Sequence, residues 1–172
     1  MINYIRFTKN TRVNRKITKG RWASSFKTGK SAEKVFCDLM TAKGLKVVKS
    51  NRNDDMHKHI DFYVDDIGFD VKGNRHLDCI WLEIQNVRGK DGWLKGKAKF
   101  IAIDVKELNA FCFYKRVDLL KYVSQFKETT TYKTDYLKWY TRSKWGRDDK
   151  IIKVKYEHIK HLEIKQLPYA TT

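Results

Sequence analysis

A chain of 172 residues, 41% of them hydrophobic, has material for one compact core and too little for two. Its 37 Lys and Arg against 20 Asp and Glu leave a net charge of +17, which points to a polyanionic partner, nucleic acid first. No stretch approaches the roughly 18 unbroken apolar residues of a spanning helix, and the N-terminus lacks the apolar run of a signal peptide, so a soluble cytoplasmic protein without a membrane partner is expected.

The charge is unevenly spread. Residues 1–30 hold nine basic residues and no acid, residues 31–126 hold 17 basic and 14 acidic, and residues 127–172 hold 11 and 6. The chain therefore divides into a basic N-terminal arm, 1–29, and a single domain, 30–172. Arg12, Arg15, Lys16, Lys19, Arg21 and Lys27 of the arm are expected to track phosphates, with Trp22 and Phe26 as rings able to stack or pack. A tail that adds only solubility is the plainer alternative.

After Gly29, apolar residues at Ala32, Val35, Phe36, Leu39 and Met40 have helical spacing, with Ser31 as N-cap and Gly44 as the stop. Strands are predicted at 45–48, 59–64, 67–72, 80–86, 100–105 and 111–114, and a second helix at 117–126. The last forty residues carry no clear pattern, although Tyr132, Tyr136, Trp139, Tyr140 and Trp145 recur at approximate helical spacing, as core or oligomer-interface residues do. Cys37, Cys79 and Cys112 are scattered among apolar neighbours, which suits small core residues better than disulfides or a zinc site. The fold class expected is α/β bordering on α+β, a mixed central sheet flanked by helices.

The chemistry concentrates in His59 to Gly73, HIDFYVDDIGFDVKG. Ile60, Phe62 and Val64 alternate on one strand, and Ile67, Phe69 and Val71 on the next, giving a hairpin with one apolar face. With Asp65-Asp66 as a two-residue turn, Val64 pairs with Ile67, and Asp61 falls opposite Asp70 with Cβ atoms about 5 Å apart. A bulge would break that register. Two facing carboxylates repel unless a cation lies between them, and oxygen-only ligation suits Mg²⁺, with Mn²⁺ able to substitute. Lys72 shares the polar face, where it could orient or deprotonate an attacking water or neutralise charge developing on a phosphate.

An acidic helix residue, an Asp near a strand, and (D/E)-x-K on the following strand resemble the PD-(D/E)XK nuclease superfamily, over residues 31–105. The resemblance implies a restriction-endonuclease-like fold, with Asp61 and Asp70 as metal ligands, Lys72 as the catalytic lysine and Glu33 contacting the metal or its water. Two departures stand out: Ile60 replaces the usual Pro, and Asp70 stands where Glu is commoner. The triplet alone is uninformative, since composition yields roughly three by chance and four occur: Asp70-Val71-Lys72, Asp104-Val105-Lys106, Asp148-Asp149-Lys150 and Glu163-Ile164-Lys165. Only the first has an Asp across a hairpin and an acid-bearing helix upstream; Asp104 reads as a strand-end charge and the other two as solvated surface.

Glu33 also suits a helix N-terminus, where it opposes the macrodipole or completes a capping box, and both roles can hold together. Glu83 and Gln85 share a face of the strand built on Ile80, Leu82 and Ile84; Glu83 is a candidate to join the metal cluster or position its water, Gln85 more an exposed residue. His57 and His59 lack a third ligand for zinc; His59 is read as a neighbour of Lys72 able to touch phosphate. In residues 86–99 three glycines and many cations match no nucleotide-binding motif. That segment is read as a loop and short helix bearing Trp93, with Arg88, Lys90, Lys95, Lys97 and Lys99 along the approach to DNA.

The expectation is a Mg²⁺-dependent endodeoxyribonuclease, a homodimer where both strands are cut. Three rivals remain: a non-catalytic nucleic-acid-binding protein, a ribonuclease, and an interaction protein that engages an acidic partner.

Overall fold

The computed structural model describes residues 29–74, 79–141 and 148–169. The basic arm and its six candidate contacts, Arg12, Arg15, Lys16, Lys19, Arg21 and Lys27, lie outside the described residues, as do Trp22, Phe26 and Trp145.

The first helix, α1, covers residues 29–42. It buries Ala32, Phe36 and Met40, the i, i+4, i+8 stripe, whereas Val35 is exposed. Because the helix already includes residues 29 and 30, Ser31 is a helical residue and not its N-cap. Gly44 does end it: at φ +76° the chain turns left-handed, the Gly44 amide donates to Thr41 O at 2.9 Å, and the Leu45 amide reaches back to Met40 O at 3.2 Å.

Six strands form the first sheet, in the order β1 (Val47–Lys49), β2 (Phe62–Val64), β3 (Ile67–Lys72), β5 (Phe100–Val105), β6 (Ala110–Lys115) and β10 (Glu163–Pro168). Only β3 and β5 run parallel, and all other neighbours are antiparallel. Asp65 and Asp66, both at positive φ, make the two-residue turn of the β2–β3 hairpin, and Val64 pairs with Ile67 as the spacing predicts. Against one face of this sheet α1 packs Phe36, whose ring centroid lies 5.7 Å from those of Phe62, Phe69 and Phe111. Val64, Val71, Ala102, Phe113 and Leu167 complete that layer.

The opposite face is covered by a second sheet, where the sequence pattern leads one to expect helices. Its order is β4 (Ile80–Gln85), β9 (Lys150–Val154), β8 (Trp139–Thr141) and β7 (Thr129–Thr130), again mixed. Ile80, Leu82, Ile152 and Val154 from this sheet pack on Ile101, Ile103, Val105, Cys112 and Tyr114 from the first. Two short helices, α2 (Arg116–Ser124) and α3 (Tyr156–Ile159), close the layer with Leu119, Val123, Tyr156 and Ile159. The class is mixed α+β with two sheets. Trp139 and Tyr140 are buried strand residues, so the helical spacing read into the C-terminal aromatics does not correspond to a helix there. Among the described residues no helix is long and apolar enough to cross a membrane. Cys37 is half-buried, Cys79 and Cys112 are buried, and none is in a disulfide.

Candidate active site

The hairpin carries its acids into the layer between the two sheets. Asp70 is in register with Ile101 and Lys72 with Ile103, so both side chains leave β3 on the face that the second sheet covers. Asp70 is only 1% exposed; its Oδ1 takes the Lys72 ammonium at 2.6 Å, and its buried Oδ2 meets no hydrogen-bond donor among the described residues. Burial pushes the Asp70 carboxyl well above the usual carboxylate range; Lys72 opposes the rise and the neighbouring Asp61 adds to it.

Asp61 reaches this place by a route that alternation does not describe. Ile60 packs with the layer between the sheets, and its side chain occupies the space over Gly68, while Phe62 and Val64 face α1. Ile60 and Phe62 therefore lie on opposite faces, correcting the single apolar face read from the spacing. The strand is displaced at Asp61, whose amide donates to Phe69 O at 2.8 Å while its carboxylate accepts the Val71 amide at 2.7 Å. The carboxylate stands in for the backbone carbonyl that the ladder lacks once β2 has ended. Strand exit and carboxylate placement are thus one event, which puts Asp61 beside Asp70 without the strict pair register.

Lys72 stands at the seam between the sheets. Its Nζ lies 5.4 Å from the centre of the Trp93 ring. Burial alone would lower its pKa, but Asp70, Asp61 and Glu83 outweigh that and hold it above the ordinary lysine value. Glu83 belongs to β4 and hence to the second sheet, not to a neighbouring strand of the first. It accepts the Trp93 amide, and burial raises its pKa against the opposing charge of Lys72. Gln85, past a register shift in β4, donates instead to Asp148 O at 2.6 Å.

Glu33 is not gathered into this cluster. It sits on α1 with Lys30 at 3.1 Å and Lys49 of β1 at 2.8 Å, and its connection to the hairpin acids runs through Lys49, whose charge Asp61 also stabilises. His57 is exposed. His59 follows the π-helical turn Asp54–Lys58 at φ +52° and is half-buried; burial first, then the charge of Lys72, lower its pKa, against a hydrogen bond to the Asp91 backbone.

The glycine-rich segment lies against the hairpin. Its amides at Lys97 and Lys99 donate to Lys58 O (2.7 Å) and Gly68 O (2.9 Å), and Arg116 of α2 donates to Leu94 O (2.7 Å) and Ala98 O (2.9 Å). Trp93 and Leu94 are buried, while Arg88, Lys90, Lys95, Lys97 and Lys99 are exposed, with Lys95 paired to Asp91 at 3.0 Å. The expected row of cations is therefore solvent-facing and anchored next to the acids.

Three acids of the other (D/E)-x-K triplets depart from the sequence reading. Asp104 is buried on the α1 side, bound by Lys106 and the Tyr169 hydroxyl. Glu163 is half-buried and accepts the Tyr156 hydroxyl at 2.9 Å. Asp149, only 2% exposed, lies close enough to Glu83 to raise its pKa, a neighbour that two adjacent acids in a charged stretch do not advertise.

Asp61 and Asp70 fit a hard divalent cation on one observation, the buried Oδ2 of Asp70, which meets no hydrogen-bond donor among the described residues. Among the described residues no group of three or more His, Cys, Asp and Glu gathers closely enough to hold a metal ion. The available ligand set is then the carboxylate pair, with water and phosphate oxygens left to complete the shell, a common arrangement for Mg²⁺. The chain matches no protein-family model, no curated protein and no solved structure.

Proposed function

We propose that this protein is a metal-dependent endodeoxyribonuclease of PD-(D/E)XK type, hydrolysing phosphodiester bonds with Mg²⁺ or Mn²⁺ held by Asp61 and Asp70. The observation that carries this reading is the buried Asp70, one oxygen meeting no hydrogen-bond donor among the described residues and the other on Lys72, beside a second carboxylate. Buried carboxylates with shifted pKa cluster at functional sites, and this one, unlike the buried Asp104 held by Lys106 and Tyr169, has a second carboxylate beside it.

The metal, when bound, supplies Lewis-acid polarisation of the phosphate and activation of a water. Lys72, an ammonium on Asp70 in the metal-free protein, would face the negative charge that develops as water adds to phosphorus and the ester oxygen leaves, or orient the attacking water. Exposed Arg88, Lys90, Lys95 and Lys97 would hold the flanking backbone, whereas His59, bonded to the Asp91 backbone, would give a phosphate oxygen a donor only when protonated. Glu33, engaged by two lysines, acts from outside the metal's immediate shell.

The test is nicking of supercoiled plasmid by the full chain with Mg²⁺ or Mn²⁺, repeated with Asp70→Ala and Lys72→Ala. Cutting by the wild type and its loss in both variants is the expected result. No cutting with either ion, or cutting that survives both substitutions, removes the assignment. The net charge of +17 also favours a second reading, a nucleic-acid-binding protein without chemistry; it predicts salt-sensitive binding in all three proteins and cleavage in none. Single-stranded RNA in the same assay separates a ribonuclease.

A further inference from the structure

We propose that Glu83 is the positioning residue of Lys72: when a divalent cation takes the Asp70 carboxylate, the ammonium is handed from Asp70 to Glu83 across the seam between the sheets. This rests on the metal reading above.

The argument starts from competition. Lys72 Nζ is 2.6 Å from Asp70 Oδ1, so the ammonium and the cation claim the same carboxylate. An ammonium that loses its counter-ion in a partly buried site is strongly disfavoured unless another takes over. Among the described residues, the charged or titratable neighbours that act on Lys72 are Asp70 and Asp61 from the first sheet, Glu83 from the second, and His59 from the turn before β2. Asp70 and Asp61 are the cation's ligands, and His59 offers no negative charge. Glu83 is the carboxylate that remains among the described residues.

Its placement suits the task. Trp93 joins the two residues, with the Lys72 ammonium over its ring at 5.4 Å and its backbone amide on the Glu83 carboxylate. Gly92 lies so close to Glu83 that an added Cβ would fall 2.7 Å from its Cγ and 2.8 Å from its carbonyl oxygen, which fixes the carboxylate's stem. The flexible four-carbon chain of Lys72 lets the ammonium move while the backbone stays in the sheet. One ion pair replaces another in this exchange.

Isothermal titration of Mn²⁺ into the metal-free full chain, without nucleic acid, tests the exchange. Wild type is expected to bind and Asp70→Asn to lose binding. Lys72→Met removes the competitor and tightens binding, whereas Glu83→Gln weakens it about tenfold. The decisive protein is Glu83→Gln/Lys72→Met, expected to bind as Lys72→Met does, because Glu83 acts through Lys72. Glu83→Asp keeps the charge and loses less than Gln, and it carries the comparison if the Gln variant does not fold. Equal binding by wild type and Glu83→Gln overturns the proposal, as does the same loss in the Lys72→Met background, which would mark Glu83 as a ligand or a purely structural group. If wild type binds no Mn²⁺, the metal reading itself falls; if Asp70→Asn alone abolishes binding and Glu83→Gln changes nothing, only the exchange does.

Discussion

The Asp61 carboxylate accepts the Val71 backbone amide at 2.7 Å, so a side chain finishes the hydrogen-bond ladder of β3. This role and the proposed metal-binding one separate by substitution. Asp61→Ala leaves the Val71 amide without its acceptor and costs about 1–3 kcal/mol of stability. Asp61→Asn keeps an acceptor oxygen, recovers most of that loss, and remains inactive because the charge is gone. Urea denaturation read beside plasmid nicking checks both; equal stability of the Ala variant and wild type would remove the ladder role.

Asp70 makes stability depend on pH in a defined direction. Its carboxyl is raised in the folded state, so the native protein binds more protons than the unfolded chain above the unfolded value of about 4. The contribution is fully present below that value and is lost as pH rises toward the folded one. The stability of wild type relative to Asp70→Asn therefore falls between acid and neutral pH in metal-free buffer. Thermal melts of both proteins across that range measure the difference, and a relative stability that rises with pH contradicts the assignment.

Gly92 tests the link between loop and strand. At φ −83° its backbone suits any residue, so the effect of Gly92→Ala is steric: the new Cβ meets Glu83 Cγ at 2.7 Å and Gln85 N at 2.9 Å. Overpacking of this kind costs about 1–3 kcal/mol. Gly29, a helical residue of α1 where an added Cβ would meet nothing within 4 Å, is the control. Gly29→Ala is expected to be neutral or to stabilise by up to about 1 kcal/mol. Denaturation midpoints of the two variants should shift in opposite directions or only for Gly92.

Arg116 predicts a local effect. Arg116→Met leaves the Leu94 and Ala98 carbonyls without the guanidinium that joins them, a loss of about 1–3 kcal/mol. Amide exchange should quicken in residues 93–99 before it does so in α1, and uniform loss of protection would argue that the clamp is global.

Legibility in the sequence follows how local each determinant is. β3 and β5 begin and end where the patterns 67–72 and 100–105 predict, because alternation and the Asp65-Asp66 turn act within a few residues. Alternation puts Ile60 on the wrong face because the displacement at Asp61 depends on a side chain bonding to the next strand, which a period of two does not encode. β4 is recognisable as a strand, yet its partner, β9, lies about 70 residues downstream, so its sheet cannot be read from periodicity. β7 and β8 are two and three residues long, too short to show any period. Asp61, Asp70 and Lys72 are legible as a group because one hairpin carries them; Asp149 is not, because tertiary packing alone brings it to Glu83.

The seam has a kinetic meaning. Asp61 and Asp149 are about 90 positions apart along the chain, whereas Asp61 and Asp70 belong to one hairpin. Loops of that span close slowly relative to a hairpin. A nascent polypeptide that has formed only the β2–β3 turn thus presents its two aspartates to solvent, before the second sheet covers them.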